Sequence, residues 1–121
     1  MEIYKDFTFE AAHQLPNVPD GHKCSRMHGH TYDLRIVVDG PIGTETGWVQ
    51  DFSELKEAMS PIIQQLDHYC LNDVKGLENP TSEILAIWIW GQVISSLPLL
   101  KRIEVKETRN SGCVYFGPEP S

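Results

Sequence analysis

Nothing in the 121 residues approaches the roughly 20 consecutive apolar side chains of a membrane-spanning helix. The opening residues, Met1-Glu2-Ile3-Tyr4-Lys5-Asp6, place charges where a secretory signal would need an apolar run, so a soluble cytoplasmic protein is expected. Positive charge is also short. Against 17 Asp and Glu stand 10 Lys and Arg, a formal charge of −7, which argues against a general binder of nucleic acid or of membrane surfaces. Any anionic ligand must therefore meet a local basic patch. Cysteine is scarce and odd in number, three at irregular spacing, which excludes the even disulfide framework of a small secreted scaffold and fits a reducing compartment. Internal repeats, linkers and low-complexity segments are absent, so residues 1–121 read as one domain with a single core.

What is present is patterned. From Ile3 to His13 the odd positions read Ile3, Lys5, Phe7, Phe9, Ala11 and His13, with mostly polar side chains between them; such alternation predicts a half-buried strand. Gln14 to Met27, with Pro16, Pro19, Asp20 and Gly21, reads as a long irregular loop, a kind that is often functional. A second strand follows, with His28, His30, Tyr32, Leu34, Ile36 and Val38 on one face and Gly29, Thr31, Asp33, Arg35 and Asp39 on the other. After a turn-rich stretch from Asp39 to Gly47, a helix is predicted from a cap at Asp51 or Ser53, with Phe52, Leu55, Met59, Ile62, Leu66 and Tyr69 in one stripe and a kink at Pro61.

Asn79 or Thr81 can cap a second helix, with Pro80 suited to its first position. Ile84, Leu85, Ile87, Trp88, Ile89, Val93, Ile94 and Leu97 make that helix apolar around much of its circumference, which predicts burial between layers or at a subunit contact, until Pro98 stops it. Two short strands close the chain, Arg102 to Thr108 and Cys113 to Phe116, joined by Arg109-Asn110-Ser111-Gly112. The order β-β-α-α-β-β, with a hairpin at each end and no βαβ rhythm, predicts an α+β fold in which a four-stranded antiparallel sheet carries two helices on one face.

Chemistry concentrates in a few side chains. A lone histidine is more often a satisfied structural residue than a ligand. The pair His28-Gly29-His30, however, projects two imidazoles from one strand face with Cα atoms roughly 6.6 Å apart, and burying both without partners is costly. With His13 arriving on a strand that can pair alongside, a three-histidine metal site becomes the better reading. All-imidazole ligation suits zinc, while copper, iron and nickel also accept it.

Cys24 stands four residues before His28, so it is either a fourth ligand that closes a structural site or a reactive thiolate favoured by Lys23 and Arg26. Cys70 and Cys113 sit among apolar neighbours as small core residues. Asp67 and His68 are adjacent, and on a regular helix such side chains point apart. A carboxylate-imidazole pair there requires an irregular helix end. Glu107 continues the apolar face of Ile103 and Val105, where a carboxylate needs a partner: a core lysine or arginine, or an N–H-rich ligand such as the amidine-like edge of a pterin or guanine. A metallohydrolase could use the same histidine pair, but its best-known barrel frameworks need roughly 250 residues.

The stretches Phe9-Glu10-Ala11-Ala12-His13, Cys24-Ser25-Arg26-Met27-His28-Gly29-His30, Leu66-Asp67-His68, Asn79-Pro80-Thr81-Ser82-Glu83 and Val105-Lys106-Glu107-Thr108 span nearly the whole chain. Together they resemble the pterin synthases of the tunnelling fold. The compact length and His22-Lys23-Cys24 are more similar to the bacterial branch, which leaves a carboxylate on the pterin in queuosine biosynthesis, than to the eukaryotic branch, which makes a pyruvoyl product. The resemblance implies that His13, His28 and His30 bind zinc and that Glu107 holds the pterin by its N–H edge, with Thr81, Ser82 and Thr108 as further contacts. It implies that Cys24, Asp67 and His68 move protons. The implied substrate is dihydroneopterin triphosphate, which loses triphosphate and acetaldehyde, and the implied assembly is a homohexamer of two trimers with sheets joined edge to edge. A non-catalytic protein with a structural zinc site is the rival from another class.

Overall fold

Alternation carries through both long N-terminal strands in the computed structural model, which describes residues 1–119. β1 (Glu2–His13) and β2 (His28–Asp39) are followed by α1 (Phe52–Leu66), α2 (Ser82–Val93), β3 (Leu100–Thr108) and β4 (Ser111–Tyr115). The sheet runs β1-β2-β3-β4 with every neighbouring pair antiparallel. Phe9, Tyr32, Leu34, Ile36, Ile103 and Val105 from one sheet face pack with Leu55, Met59, Ile62 and Leu66 of α1 and Leu85, Ala86, Ile89 and Val93 of α2 in a single core. The predicted α+β layer is the observed one. Among the described residues no helix is long and apolar enough to cross a membrane.

The helix boundaries follow from local hydrogen bonding. Asp51, not Ser53, caps α1, its carboxylate accepting from the Ser53 N–H at 2.9 Å. Pro61 lies within the helix without dividing it, because it sits on the exposed side, where water can serve the carbonyl that its missing N–H leaves free. The stripe is shorter at both ends than the periodicity predicts, since Phe52 is 52% and Tyr69 60% exposed. Phe52 occupies the first helical position, ahead of the packed turns. Tyr69 is off the helix altogether, because Asp67 turns extended and His68 adopts φ 64°.

Thr81 caps α2 through a bond from the Ile84 N–H to its hydroxyl oxygen at 3.1 Å. Pro80 therefore precedes the cap rather than opening the helix, and its carbonyl is free for another partner. Ile87 is 47% exposed while Leu85, Ala86, Ile89 and Val93 are buried, so α2 buries one face rather than its whole circumference. It ends at Val93, and turns carry the chain to Pro98.

The β3–β4 hairpin is tighter than predicted. Ser111 and Gly112 belong to β4, only Arg109 and Asn110 form the turn, and Phe116 falls outside the strand. Lys106 pairs with Gly112 and Thr108 with Ser111, which leaves Glu107 as the extra residue of a β-bulge, a device that re-aims a side chain. Gly112 lets the strands close on it: a Cβ there would stand 2.3 Å from the Val105 carbonyl oxygen. Gly112→Ala should therefore push β4 from β3 and lower stability by about 1–3 kcal/mol, measured as the shift of a chemical denaturation midpoint.

Candidate metal centre and its surroundings

The register of the first hairpin assembles the histidines. β1 and β2 pair so that His13 stands opposite His28 and Ala11 opposite His30, and the alternation of the strand puts His30 on the same face as His28. The three rings are almost equidistant, with centroids 4.6, 4.8 and 5.0 Å apart. Each is steeply inclined to the others, at 66° to 90°. His13 is fully buried.

Hydrogen bonds fix which nitrogens face inward. His13 Nδ1 lies 2.8 Å from the Pro80 carbonyl oxygen and His28 Nδ1 2.7 Å from that of Arg26. A carbonyl only accepts, so each Nδ1 carries a proton, which leaves Nε2 as the atom each ring can present to the centre as a lone pair. Those two Nε2 atoms are 3.0 Å apart. His30 is kept neutral by burial, which lowers its pKa below the ordinary 6.5 against the opposing pull of Glu107. Glu107 adds another acceptor: its Oε1 is 3.5 Å from His13 Nε2 and 3.7 Å from His30 Nε2. Lone pairs converging without a donor repel unless a cation joins them, and one ligand atom from each of His13, His28 and His30 lies within 4.8 Å of the others. The donor set fits a metal ion held by three imidazoles.

Glu107 thus meets imidazoles instead of the lysine or arginine of a simple core pair. Tyr32, which reads in sequence as one more large residue on an apolar face, stands behind the site. Its hydroxyl is 3.3 Å from His13 Nδ1, its ring stacks on Phe9 at 5.0 Å, and burial raises its pKa further, so it stays protonated. The Pro80 and Arg26 carbonyls have no side-chain signature; only the folded chain brings them to the rings.

A cavity of about 540 Å³ opens beside the histidines, lined by Lys23, Cys24, Arg26, Met27, His28, His30, Glu107, Thr108 and Ser111. Cys24 sits in a short 3-10 turn, Lys23–Ser25, whose cap is His22: its Nδ1 accepts the Cys24 N–H at 3.0 Å. The Leu15 N–H donates to the Cys24 carbonyl at 2.7 Å. Cys24 is outside the close group of ligand atoms, which contains only the three histidines. Two basic side chains share its wall of the cavity.

Asp67 and His68 form the carboxylate-imidazole pair, Oδ1 to Nδ1 3.0 Å, because the helix end is irregular. The left-handed backbone of His68 costs roughly 1–2 kcal/mol in a non-glycine residue, and bonds to β1 hold it: the His68 N–H donates to the Glu10 carbonyl at 2.6 Å and the Glu10 N–H to Asp67 Oδ1 at 2.9 Å. The Glu10 N–H keeps Asp67 ionised, lowering its pKa, with His68 adding to the effect. His68 lines, with Glu10 and Thr31, a second cavity of about 490 Å³ that shares His30 with the first. One chain therefore does not bring Asp67 and His68 into the cavity of Cys24 and Glu107. Thr81 and Ser82 do not line it either; Thr81 is engaged as a helix cap and Ser82 is buried.

Comparison with known proteins gives a consistent outcome. Residues 2–118 match the family model described as 6-pyruvoyl tetrahydropterin synthase. The chain is 48% identical to the 6-carboxy-5,6,7,8-tetrahydropterin synthase of Synechocystis sp., covering 98% of this chain and 95% of that protein. It is also similar to a dihydroneopterin monophosphate aldolase of Pyrococcus furiosus, at 35% identity with 87% and 88% covered. The solved Caenorhabditis elegans 6-pyruvoyl tetrahydropterin synthase superposes with a TM-score of 0.90 at 27% identity, covering 98% of this chain and 96% of that one.

Metal analysis after dialysis separates the histidines from the cysteine: His28→Ala should lose stoichiometric metal, whereas Cys24→Ala should retain it. In metal-free protein, the lowered pKa of His30 means that the folded chain binds fewer protons than the unfolded one between that lowered value and 6.5. Its stability contribution is therefore complete above 6.5 and declines as pH falls through the window; denaturation midpoints taken across pH should rise with pH there.

Proposed function

Because the chain belongs to the 6-pyruvoyl tetrahydropterin synthase family, we propose that it converts 7,8-dihydroneopterin triphosphate to 6-carboxy-5,6,7,8-tetrahydropterin, releasing acetaldehyde and triphosphate, in queuosine biosynthesis in the cytoplasm. The observation that carries this reading is the 48% identity, over 98% of the chain, to a protein of that name.

The residues divide the work. His13, His28 and His30 hold zinc, which when bound makes coordinated side-chain hydroxyls more acidic. Glu107 takes the N–H edge of the pterin, and Thr108 lies on the same wall. Cys24, as thiolate, moves a proton at the side-chain carbon next to the ring. Lys23 and Arg26, beside it, meet the triphosphate and reconcile a polyanionic substrate with an acidic protein. Asp67 orients His68 through Nδ1, leaving Nε2 to relay protons along the substrate side chain. Thr81 and Ser82 are second-rank pterin contacts in this scheme, since neither faces the cavity of one chain.

The separation of Asp67 and His68 from Cys24 supports assembly. In a hexamer of two trimers joined at sheet edges, a neighbouring copy supplies the pair, and edge joining also removes the exposed backbone of β1 and β4. Mixing inactive Cys24→Ala and His68→Ala proteins under conditions of subunit exchange should then restore part of the activity.

Two observations keep other products in view: the aldolase and pyruvoyl names carried by relatives of the same fold. The deciding assay incubates zinc-loaded protein with dihydroneopterin triphosphate. Acetaldehyde released in step with the change in pterin absorbance is the expected result, and Cys24→Ser should lower kcat by roughly 10²- to 10⁴-fold with zinc content unchanged. A pyruvoyl product, or cleavage confined to the monophosphate, would replace this assignment. No turnover at all would favour a structural zinc site.

A further inference from the structure

The position of Glu107 relative to the three rings asks more of this carboxylate than contact with a ligand. Its Oε1 lies 3.5 Å from His13 Nε2 and 3.7 Å from His30 Nε2. Both separations are too long for hydrogen bonds. They are instead close to the spacing between two ligand atoms on one tetrahedral ion, about 3.4 Å from ordinary zinc-ligand distances. For His13 the Nδ1 proton is committed to the Pro80 carbonyl, which leaves Nε2 as the nitrogen that can ligate.

Charge points the same way. Three neutral imidazole ligands would leave a divalent ion uncompensated, and among the described residues the carboxylate next to them is Glu107, 28% exposed on the cavity wall. The backbone prepares this placement: Glu107 is the unpaired residue of the β3–β4 bulge, and Gly112 permits the close approach that the bulge requires. Glu107 and Cys24 both lie outside the close group formed by the three histidine ligand atoms, but Glu107 Oε1 comes within 3.5 and 3.7 Å of two of its members.

We propose that Glu107 is the fourth ligand of the resting metal and that it yields this position when a pterin arrives, turning to the N–H edge of the incoming ring. The first half concerns the metal alone. The second half rests on the proposed pterin activity. The carboxylate then holds the site closed while empty and opens it only for a molecule that offers an N–H edge.

Cobalt(II)-loaded protein tests both halves without turnover. Glu107→Gln, isosteric and uncharged, should bind cobalt more weakly by at least what losing a supporting partner costs, roughly 10- to 100-fold, and its visible absorption bands should change in shape and intensity. Glu107→Asp separates ligation from charge. If the carboxylate worked through charge alone, the aspartate would keep wild-type bands and Gln would weaken binding without altering them, and the proposal fails. Adding 7,8-dihydroneopterin to the wild type should shift its bands as the carboxylate leaves the ion, and at saturating pterin the bands of wild type and Glu107→Gln should converge. Equal affinity and equal spectra for wild type and Glu107→Gln overturn the ligand assignment. A wild-type spectrum that the pterin leaves unchanged, under conditions where its binding is seen by fluorescence, overturns the exchange. Circular dichroism confirms that each variant is folded. The turnover assay stands apart, so a failed ligand assignment does not become a failed enzyme assignment.

Discussion

The pairing of β1 with β2 in one register is the constraint from which the rest of the site follows. His13 stands opposite His28 because Ile3 pairs with Val38 and Phe9 with Tyr32 along the same ladder. A slip of one residue would turn every side chain of β1 to the other face, moving Phe9 and Ala11 out of the core and His13 away from its partners. Burial of Phe9, Leu34 and Ile36 thus enforces the convergence of the rings, although none of these residues touches a metal. Core packing and ligand placement are one specification here.

The same edge strand recruits the segment after α1. Asp67 and His68 satisfy backbone groups of Glu10, and the Ala12 N–H donates to the Tyr69 carbonyl at 3.1 Å. These bonds cover part of an edge that would otherwise be open, and they account for the left-handed backbone at His68. The strain is local and is balanced by contacts that also aim the imidazole outward, toward whatever lies against that face.

Much of this was legible in sequence because it is periodic. Alternation from Ile3 to His13 and from His28 to Val38 identified both strands and the shared face of the three histidines, and the out-of-place carboxylate at Glu107 marked itself by interrupting an apolar face. Less legible was anything that depends on a single hydrogen bond or a one-residue irregularity. Pro80 suits a first helical position as well as the place before a cap, and only the Thr81 hydroxyl decides between them. The bulge at Glu107 and the left-handed turn at His68 are properties of paired segments, invisible in either segment alone. Tyr32 was hidden by its own size: a large ring on a core face reads as packing, and its hydroxyl acquires meaning only beside His13. The placement of Cys24 and His68 in different cavities likewise has no local signal, since each lies in a segment whose course is set by the strand it returns to.

The bond from His13 to the Pro80 carbonyl ties the metal centre to the entry of α2, and the bond from His28 to Arg26 ties it to the loop that carries Cys24. An ion that fixes those two rings therefore also fixes a helix start and a loop. Because an ordered site of this kind is absent from the unfolded chain, its occupancy is linked to folding: each tenfold rise in free metal above the dissociation constant adds about 1.4 kcal/mol to the stability of the whole domain. An ion bound there would make the stability of the whole fold depend on metal supply.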